Sequence, residues 1–222
     1  MGRIQVSGGK PLVGETAIQG AKNAALPLMA AALLHKGTTV LHNCPDIADV
    51  SCMRLLLEDL GCQTEFRNHT MYIDASVIRK TEPDAELTAR MRGSVLLMGS
   101  LLGRMGEVIL PFPGGCVIGK RPVNYHLDMM RSLGAEVICQ DNRMILRRKK
   151  LRGTQISMCF PSVGATENGI LAATLADGIT ELKSGAREPE IGELCRFLQE
   201  KGAQIHLAEA VSYTHLTLPT IA

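Results

Sequence analysis

Aromatic residues are scarce in this chain of 222 residues, where Phe, Tyr and Trp together make up 3% and tryptophan is absent. A protein that stacks single-stranded nucleic acid on its surface needs such rings. An excess of one charge is also lacking, because 24 Lys and Arg stand against 22 Asp and Glu, a net charge of +2. Such a chain has no long-range attraction to nucleic acid or to an anionic membrane. We therefore expect neither kind of partner.

Long apolar runs and metal-ligand spacings are missing as well. No apolar run has the ~18 residues of a membrane span, and MGRIQVSGGK at the start has no signal-peptide pattern. The seven cysteines are odd in number and form no CxxC pair or Cys–His group at metal spacing. Six of them lie in apolar or helical context and are predicted to be small core residues. We expect a protein of the reducing cytoplasm with no metal and no cofactor.

What the sequence does contain is a repeat of about 70 residues. Three segments predict the end of an amphipathic helix, a C-capping glycine and the start of a strand: LLLEDLGCQTEF (55–66), LDMMRSLGAEVI (127–138) and LCRFLQEKGAQI (194–205). Three others are apolar on nearly every face, which predicts buried helices: AALPLMAAALLHKG (24–37), SVLLMGSLLGRMG (94–106) and ENGILAATLADG (167–178). The strands TTVL, EVIL and ITEL follow them.

These segments predict a unit of buried helix, strand, loop, surface helix and strand that occurs three times. Three such units would form an α/β fold in which the buried helices lie together inside the strands and outer helices. A doubly wound parallel sheet is the alternative, but it predicts amphipathic patterns in all helices. The helices without a polar face favour the threefold arrangement.

The segments that lead into the buried helices carry groups suited to an anion. Lys22 and Arg92 precede or begin the first two helices, and the third offers Ser162, Gly164 and Thr166 as hydroxyl and backbone donors. Helix N-termini present unpaired N–H groups and positive partial charge. If the three helices start at one end of the fold, these groups form an anion-binding site.

The loop of the second unit departs from the repeat in an informative way. PGGCVIGKRP (113–122) places Cys116 between glycines, with Lys120 and Arg121 nearby. Glycines permit a loop that closes over a site, and neighbouring cations tune the pKa of a thiol. The pattern predicts a chemically active cysteine. A Cys–His pair with His126, as in a cysteine hydrolase, is a weaker alternative because the two are ten residues apart.

Two further charged segments have mainly structural interpretations. Arg187 with Glu188 and Glu190 is interpreted as an ion-paired helix start, although paired carboxylates also suit acid–base chemistry. The basic run from Arg147 to Lys150 is interpreted as a solvated turn after a strand.

Four segments together resemble the UDP-N-acetylglucosamine 1-carboxyvinyltransferases, a family of enolpyruvyl transferases: GAKNAALP, PGGCVIGKRPV, PSVGATEN and AREPEI. The resemblance runs from about residue 3 to about 207. It implies an EPSP synthase-like fold, an inside-out α/β barrel with three repeats of about 70 residues, in a protein with two such domains. It also implies a reaction in which phosphoenolpyruvate and UDP-N-acetylglucosamine give the 3-O-enolpyruvyl ether and phosphate, early in peptidoglycan synthesis.

The same resemblance implies roles for residues at matching positions. Cys116 would be the general acid and the target of the epoxide fosfomycin, and Lys22 and Arg121 would hold phosphoenolpyruvate. Asn23 would contact the sugar nucleotide and Arg92 its anionic part. The rest of the nucleotide site would comprise Arg121, Pro122, Val123, Asn124 and Tyr125 at the uridine end and Ser162, Val163 and Gly164 at the diphosphate. Phe160 stands where some family members carry Lys and others resemble this chain, and Asn124 stands where many carry Asp.

The family's chains are roughly twice this length, so the resemblance implies a missing second barrel as partner. We expect residues 1–20 to be a strand segment of that barrel, 21–210 the first barrel, and 211–222 a tail from a truncated or wrongly joined reading frame. On this view the chain alone is inactive. The alternatives are a non-catalytic half-enzyme that binds the nucleotide, and the related transferase that acts on shikimate 3-phosphate.

Overall fold

The structure is a computed structural model that describes residues 4–9, 11, 13–112 and 123–207. These residues form seven α-helices, one 3-10 helix and eight strands. The first unit comprises α1 (Lys22–Ala32), β1 (Thr38–Leu41), α2 (Ala48–Asp59), β2 (Gln63–Arg67) and β3 (Thr70–Asp74). The second comprises α3 (Ala85–Arg90), the 3-10 helix (Arg92–Leu96), α4 (Leu97–Met105), β4 (Glu107–Pro111), α5 (Asn124–Ser132), β5 (Glu136–Gln140) and β6 (Arg143–Arg147). The third comprises β7 (Gln155–Ser157), α6 (Val163–Ala173), β8 (Glu181–Lys183) and α7 (Pro189–Glu200).

The first two units have the same small sheet. In each, the last strand lies in the centre and pairs antiparallel with the other two, giving the orders β1-β3-β2 and β4-β6-β5. The central strands follow two-residue turns, Asn68-His69 and Asp141-Asn142, whose residues all have positive φ as hairpin turns of this length require. The alternative prediction of a doubly wound parallel sheet is therefore wrong. The predicted repeat unit also lacked the central strand of each sheet, β3 or β6.

The third unit differs from the other two in the described residues. Its strands β7 and β8 pair in parallel, with Ile156 opposite Leu182. Residues 203–205, predicted to start a strand, form none in this part of the chain. The predicted C-capping glycines are confirmed in all three units, because Gly61, Gly134 and Gly202 have φ of 109°, 92° and 97°.

The apolar helices α1, α4 and α6 are buried as predicted and run in the same direction. A methyl group on Gly93 would lie 3.1 Å from Leu26 in α1, and one on Gly103, ten residues later, would lie 3.6 Å from Leu34. Gly99 and Gly103 of α4 likewise face Asn168 and then Leu171 of α6. The three helices therefore begin at one end of the molecule, which is the arrangement the candidate anion site requires.

Two predictions about burial need correction. Cys44, Cys62 and Cys195 are buried and Cys52 is half-buried, but Cys139 and Cys159 are exposed because they lie on an edge strand and in a loop. The basic run after β6 is not wholly solvated either. The half-buried Arg148 donates from Nε to the backbone oxygen of Leu102 at 2.8 Å, so its cation satisfies carbonyl groups at the end of α4.

The N-terminal segment lies outside the core. Its described residues from 4 to 18 form no helix or strand, and Ile4, Val6 and Val13 are at least 85% exposed. A hydrogen bond attaches Gln19 to the fold, because its Oε1 accepts the backbone N–H of Asp46 at 2.9 Å. Assignment of residues 1–20 to a second barrel stays a prediction. Across the part of the chain that the structure describes, no helix is both long and apolar enough to cross a bilayer.

Candidate functional site

Lys22 is the first residue of α1, at the end of the molecule where the buried helices begin. Its Nζ lies 2.8 Å from Oδ2 of Asp49 in the first turn of α2, so the ion pair joins two helix starts. The Lys22 side chain is 48% exposed, and such surface pairs contribute only about 0–1 kcal/mol. An anionic ligand can therefore compete with Asp49 for this ammonium group. Asn23 is exposed beside it.

Arg92 begins the 3-10 helix that leads into α4. The next residue, Gly93, packs against Leu26 of α1, one turn after Lys22. Arg92 is half-buried, and its positive charge helps to lower the pKa of His126 in α5. The 3-10 helix therefore brings the Arg92 cation into the region between the starts of α1 and α5.

The starts of α5 and α6 meet through aromatic side chains. Tyr125 in the first turn of α5 stacks on Phe160, which precedes α6, with ring centroids 5.8 Å apart and planes at 21°. Val123 is buried at the N-cap of α5, whereas Asn124 is exposed. The structure thus brings Val123–Tyr125, the described part of the segment predicted for the uridine end, next to the segment predicted for the diphosphate.

The N-terminus of α6 is built by local capping. Ser162 is the N-cap, and its hydroxyl accepts the backbone N–H of Ala165 at 3.4 Å. Thr166 was predicted to donate to an anion, but its hydroxyl donates to the backbone oxygen of Ser162 at 2.9 Å and accepts the N–H of Ala186 at 3.0 Å. That prediction is wrong because both roles of the hydroxyl serve the fold, while Ser162, Val163 and Gly164 stay half-buried at the surface.

His126 lies behind this surface and is 5% exposed. Burial first, and then the charge of Arg92, lowers the pKa of its ring to about 4. Its Nδ1 lies 2.9 Å from the amide nitrogen of Asn168 in α6. A ring that is uncharged, buried and already hydrogen-bonded is a poor general base, so the geometry opposes the Cys–His alternative.

A buried carboxylate lies on α6 that the sequence did not single out. Glu167 is 4% exposed, and its pKa is raised to about 8 by burial first, then by Glu190 in α7 and by Glu188 at the N-cap of α7. The signal for it was a charged residue inside an otherwise apolar helix.

Arg187 is exposed and has no ion pair among the residues that the structure describes, so the prediction of an ion-paired helix start is wrong.

The cysteine loop cannot be placed with these elements. Cys116, Lys120, Arg121 and Pro122 lie outside the described residues, and their predicted roles stay predictions. Among the residues that are described, no three His, Cys, Asp or Glu side chains are grouped so as to hold a metal ion. What the described residues offer is two cations and three helix starts at one end, an arrangement that suits an anionic ligand.

Comparison with known proteins gives a consistent family. Residues 6–216 match the family described as EPSP synthase (3-phosphoshikimate 1-carboxyvinyltransferase). A UDP-N-acetylglucosamine 1-carboxyvinyltransferase 2 of Caldanaerobacter subterraneus is 43% identical over 92% of this chain and 49% of its own length. A UDP-N-acetylglucosamine 1-carboxyvinyltransferase of Granulibacter bethesdensis is 46% identical over 92% of this chain and 50% of its own length.

Solved structures show the same fold. The enolpyruvyl transferase NikO of Streptomyces tendae superposes with a TM-score of 0.81 at 24% identity, over 91% of this chain and 48% of its own. An EPSP synthase of Acinetobacter baumannii has a TM-score of 0.67 at 16% identity, over 89% of this chain and 45% of its own. The chain thus has an α/β fold of this type and spans about half the length of the relatives it matches.

Proposed function

This chain belongs to the EPSP synthase (3-phosphoshikimate 1-carboxyvinyltransferase) family, and from that premise we propose that it is half of a UDP-N-acetylglucosamine 1-carboxyvinyltransferase. The reaction moves the enolpyruvyl group of phosphoenolpyruvate to the 3-hydroxyl of UDP-N-acetylglucosamine and releases phosphate. Relatives of that name, 43–46% identical to this chain, support the choice of acceptor over shikimate 3-phosphate.

The observation that carries the proposal is the gathering of three helix starts with two cations at one end. Phosphoenolpyruvate and a nucleoside diphosphate sugar are both polyanions, and fixed cations with oriented N–H groups suit them. We assign Lys22 to phosphoenolpyruvate and Asn23 and Arg92 to the sugar nucleotide. Val123 to Tyr125 would lie along the uridine, with Ser162 to Gly164 at the diphosphate.

The chemistry requires an acid as well as cations. The substrate hydroxyl attacks C2 of phosphoenolpyruvate while a proton is added to its methylene carbon, and loss of phosphate and of a proton then restores the double bond. We assign the proton donor to Cys116 and a phosphate contact to Arg121. A thiol suits this task because nearby cations lower its pKa and a bound dianion raises it.

We also propose that the three units form an inside-out α/β barrel. The parallel buried helices and the matching sheets of the first two units support it. A second barrel would face the end where α1, α4 and α6 begin, and the substrates would lie between the two. Turnover would then require both halves.

Calorimetric titration of the 222-residue chain with UDP-N-acetylglucosamine tests the proposal. We expect binding, a loss of at least about tenfold in affinity for Arg92→Ala, and little change for Lys36→Ala, an exposed lysine beyond the other end of α1. Fosfomycin should label wild-type chain but not Cys116→Asp. Failure to bind the nucleotide sugar, or tighter binding of shikimate 3-phosphate, would overturn the assignment.

Phosphate release separates the half-enzyme from a complete one. We expect none when the chain alone is given phosphoenolpyruvate and UDP-N-acetylglucosamine. Release by the chain alone would show that the expected inactivity is wrong, whereas binding without release fits a half-site.

A further inference from the structure

A buried asparagine links the three segments that surround the proposed nucleotide site. Asn168 of α6 is fully buried, and its side chain reaches the 3-10 helix, α4 and α5. Its Oδ1 accepts the backbone N–H of Gly99 at 2.7 Å, and its Nδ2 donates to the backbone oxygen of Val95 at 3.0 Å. Because an N–H only donates and a carbonyl only accepts, these two partners fix the orientation of the amide.

The fixed amide in turn decides the tautomer of His126. The second hydrogen of Asn168 Nδ2 is directed to His126 Nδ1 at 2.9 Å, so Nδ1 has to accept and the ring proton lies on Nε2. Protonation of Nδ1 would set two N–H groups against each other in a buried site. The contact therefore holds the ring in one uncharged form.

The other edge of the ring faces the start of α6. A methyl group on Gly164 would lie 3.0 Å from Cε1 and 3.5 Å from Nε2 of His126, so the ring packs directly against this glycine. The preceding residue, Tyr125, stacks on Phe160 before α6. His126 therefore fills the junction between the two helix starts, and Asn168 holds it there.

Two causes among the described residues lower the pKa of His126 and so oppose protonation of its ring. Burial is the larger cause, and the positive charge of Arg92 is the second. From α6 the ring meets Gly164 and Asn168, which do not titrate. Glu167, next to Asn168 on α6, is buried, and its pKa is raised to about 8, so it is mainly uncharged below that pH. On its own helix, Asp128 is exposed and paired with Arg131 at 2.8 Å, and Glu136 of β5 is exposed. A cationic His126 would add a second positive charge beside Arg92.

We propose that Asn168 and His126 are positioning residues for the nucleotide site: a buried, uncharged pair that sets the start of α5 against the start of α6. The identity of the ligand rests on the proposed function. The positioning of the starts of α5 and α6 by Asn168 and His126 does not depend on it. It predicts that the junction keeps one geometry between pH 5.5 and 8, because neither member changes charge in that range.

Asn168→Asp is the variant that separates this role from simple packing. The carboxylate keeps the acceptor for Gly99 but cannot donate to Val95 or to His126, and it favours the imidazolium. We expect His126 in the chain to be the Nε2–H tautomer in wild type without titration from pH 5.5 to 8, measured by ¹⁵N NMR of the ring. In Asn168→Asp we expect it to titrate within that range, and the amide signals of Val163 and Gly164 to shift with it. Asn142→Asp is the control, because it adds the same negative charge in an exposed turn. It should leave the His126 signals unchanged.

Binding of UDP-N-acetylglucosamine gives the second readout. In Asn168→Asp the affinity should change with pH along the His126 titration. His126→Leu removes the acceptor and should weaken binding by about tenfold, whereas His126→Gln keeps an acceptor for Asn168 and should restore most of it.

The outcomes distinguish the two proposals. An Nδ1–H tautomer, or Val163 and Gly164 signals that do not follow His126 in Asn168→Asp, overturns the positioning role whether or not the ligand binds. If the wild-type chain does not bind UDP-N-acetylglucosamine, the proposed function fails, and the ring and amide signals still decide the positioning role. Wild-type affinity in His126→Leu would also overturn it.

Discussion

Glu167 shows at the scale of one residue how burial couples charge to stability. Its folded-state pKa is about 8 against an ordinary value of 4.5, so between those values the folded chain binds a proton that the unfolded chain has lost. The free energy of unfolding should therefore fall as pH rises from about 4.5 to about 8. Glu167→Gln removes this dependence, and urea unfolding at pH 5 and pH 9 measures it.

The difference in free energy of unfolding between Glu167→Gln and wild type should favour the variant more at pH 9 than at pH 5. Glu15→Gln, at an exposed position with no role in the core, should show no such difference. If Glu167→Gln changed the free energy of unfolding equally at pH 5 and pH 9, ionisation of Glu167 would not destabilise the folded chain. That result would contradict its burial.

Single residues also show where sequence reasoning succeeds and fails. Lys22 and Arg92 were predicted correctly to stand at helix starts, because capping and periodicity are local signals. Thr166 was assigned to a ligand, but a backbone N–H twenty residues away uses its hydroxyl. Asn168 was missed because its partners lie 42 to 73 residues away, and nothing near it in sequence indicates them.

At the scale of elements, close packing of α4 on α6 fixes the common direction of the buried helices. Gly99 allows it, since a methyl group there would clash with the backbone oxygen of Asn168. Gly99→Ala should destabilise the chain by about 1–3 kcal/mol despite the better helix propensity of alanine. Denaturant unfolding gives the difference.

Gly192→Ala is the matched control in α7. A methyl group there meets nothing within 4 Å, so the change should stabilise by about 0.5–1 kcal/mol. Gly99→Ala with the same gain as Gly192→Ala would show that α4 and α6 are not in close contact.

Elements differ in how well the sequence predicts them. Helices α1, α4 and α6 followed from apolar residues on every face, and the glycines at 61, 134 and 202 marked helix ends. The hairpin strand β3 was missed because it is five residues long and its turn, Asn68-His69, contains neither glycine nor proline. Its place in the centre of a sheet depends on pairing with β1, about thirty residues earlier, which no local pattern encodes.

At the scale of the whole molecule, the described residues before Gln19 contribute nothing to the core. Removal of residues 2–18 should therefore change the free energy of unfolding by less than about 0.5 kcal/mol. Removal of residues 2–20 should cost more, because it also deletes the hydrogen bond from Asp46 to Gln19 and the buried Gly20. Equal and large losses in both would show that the segment packs on the fold. Unfolding of the two truncated chains measures this.

The proposed function requires that the end where the buried helices begin binds a nucleoside diphosphate sugar. The most direct test is to follow the backbone amide signals of the ¹⁵N-labelled chain as UDP-N-acetylglucosamine is added. We expect the largest shifts at Asn124, Tyr125 and residues 162–164, with smaller ones at Lys22 and Arg92. Shifts confined to the opposite end, around Gly106 and Gly134, or no shifts at saturating ligand, would contradict it.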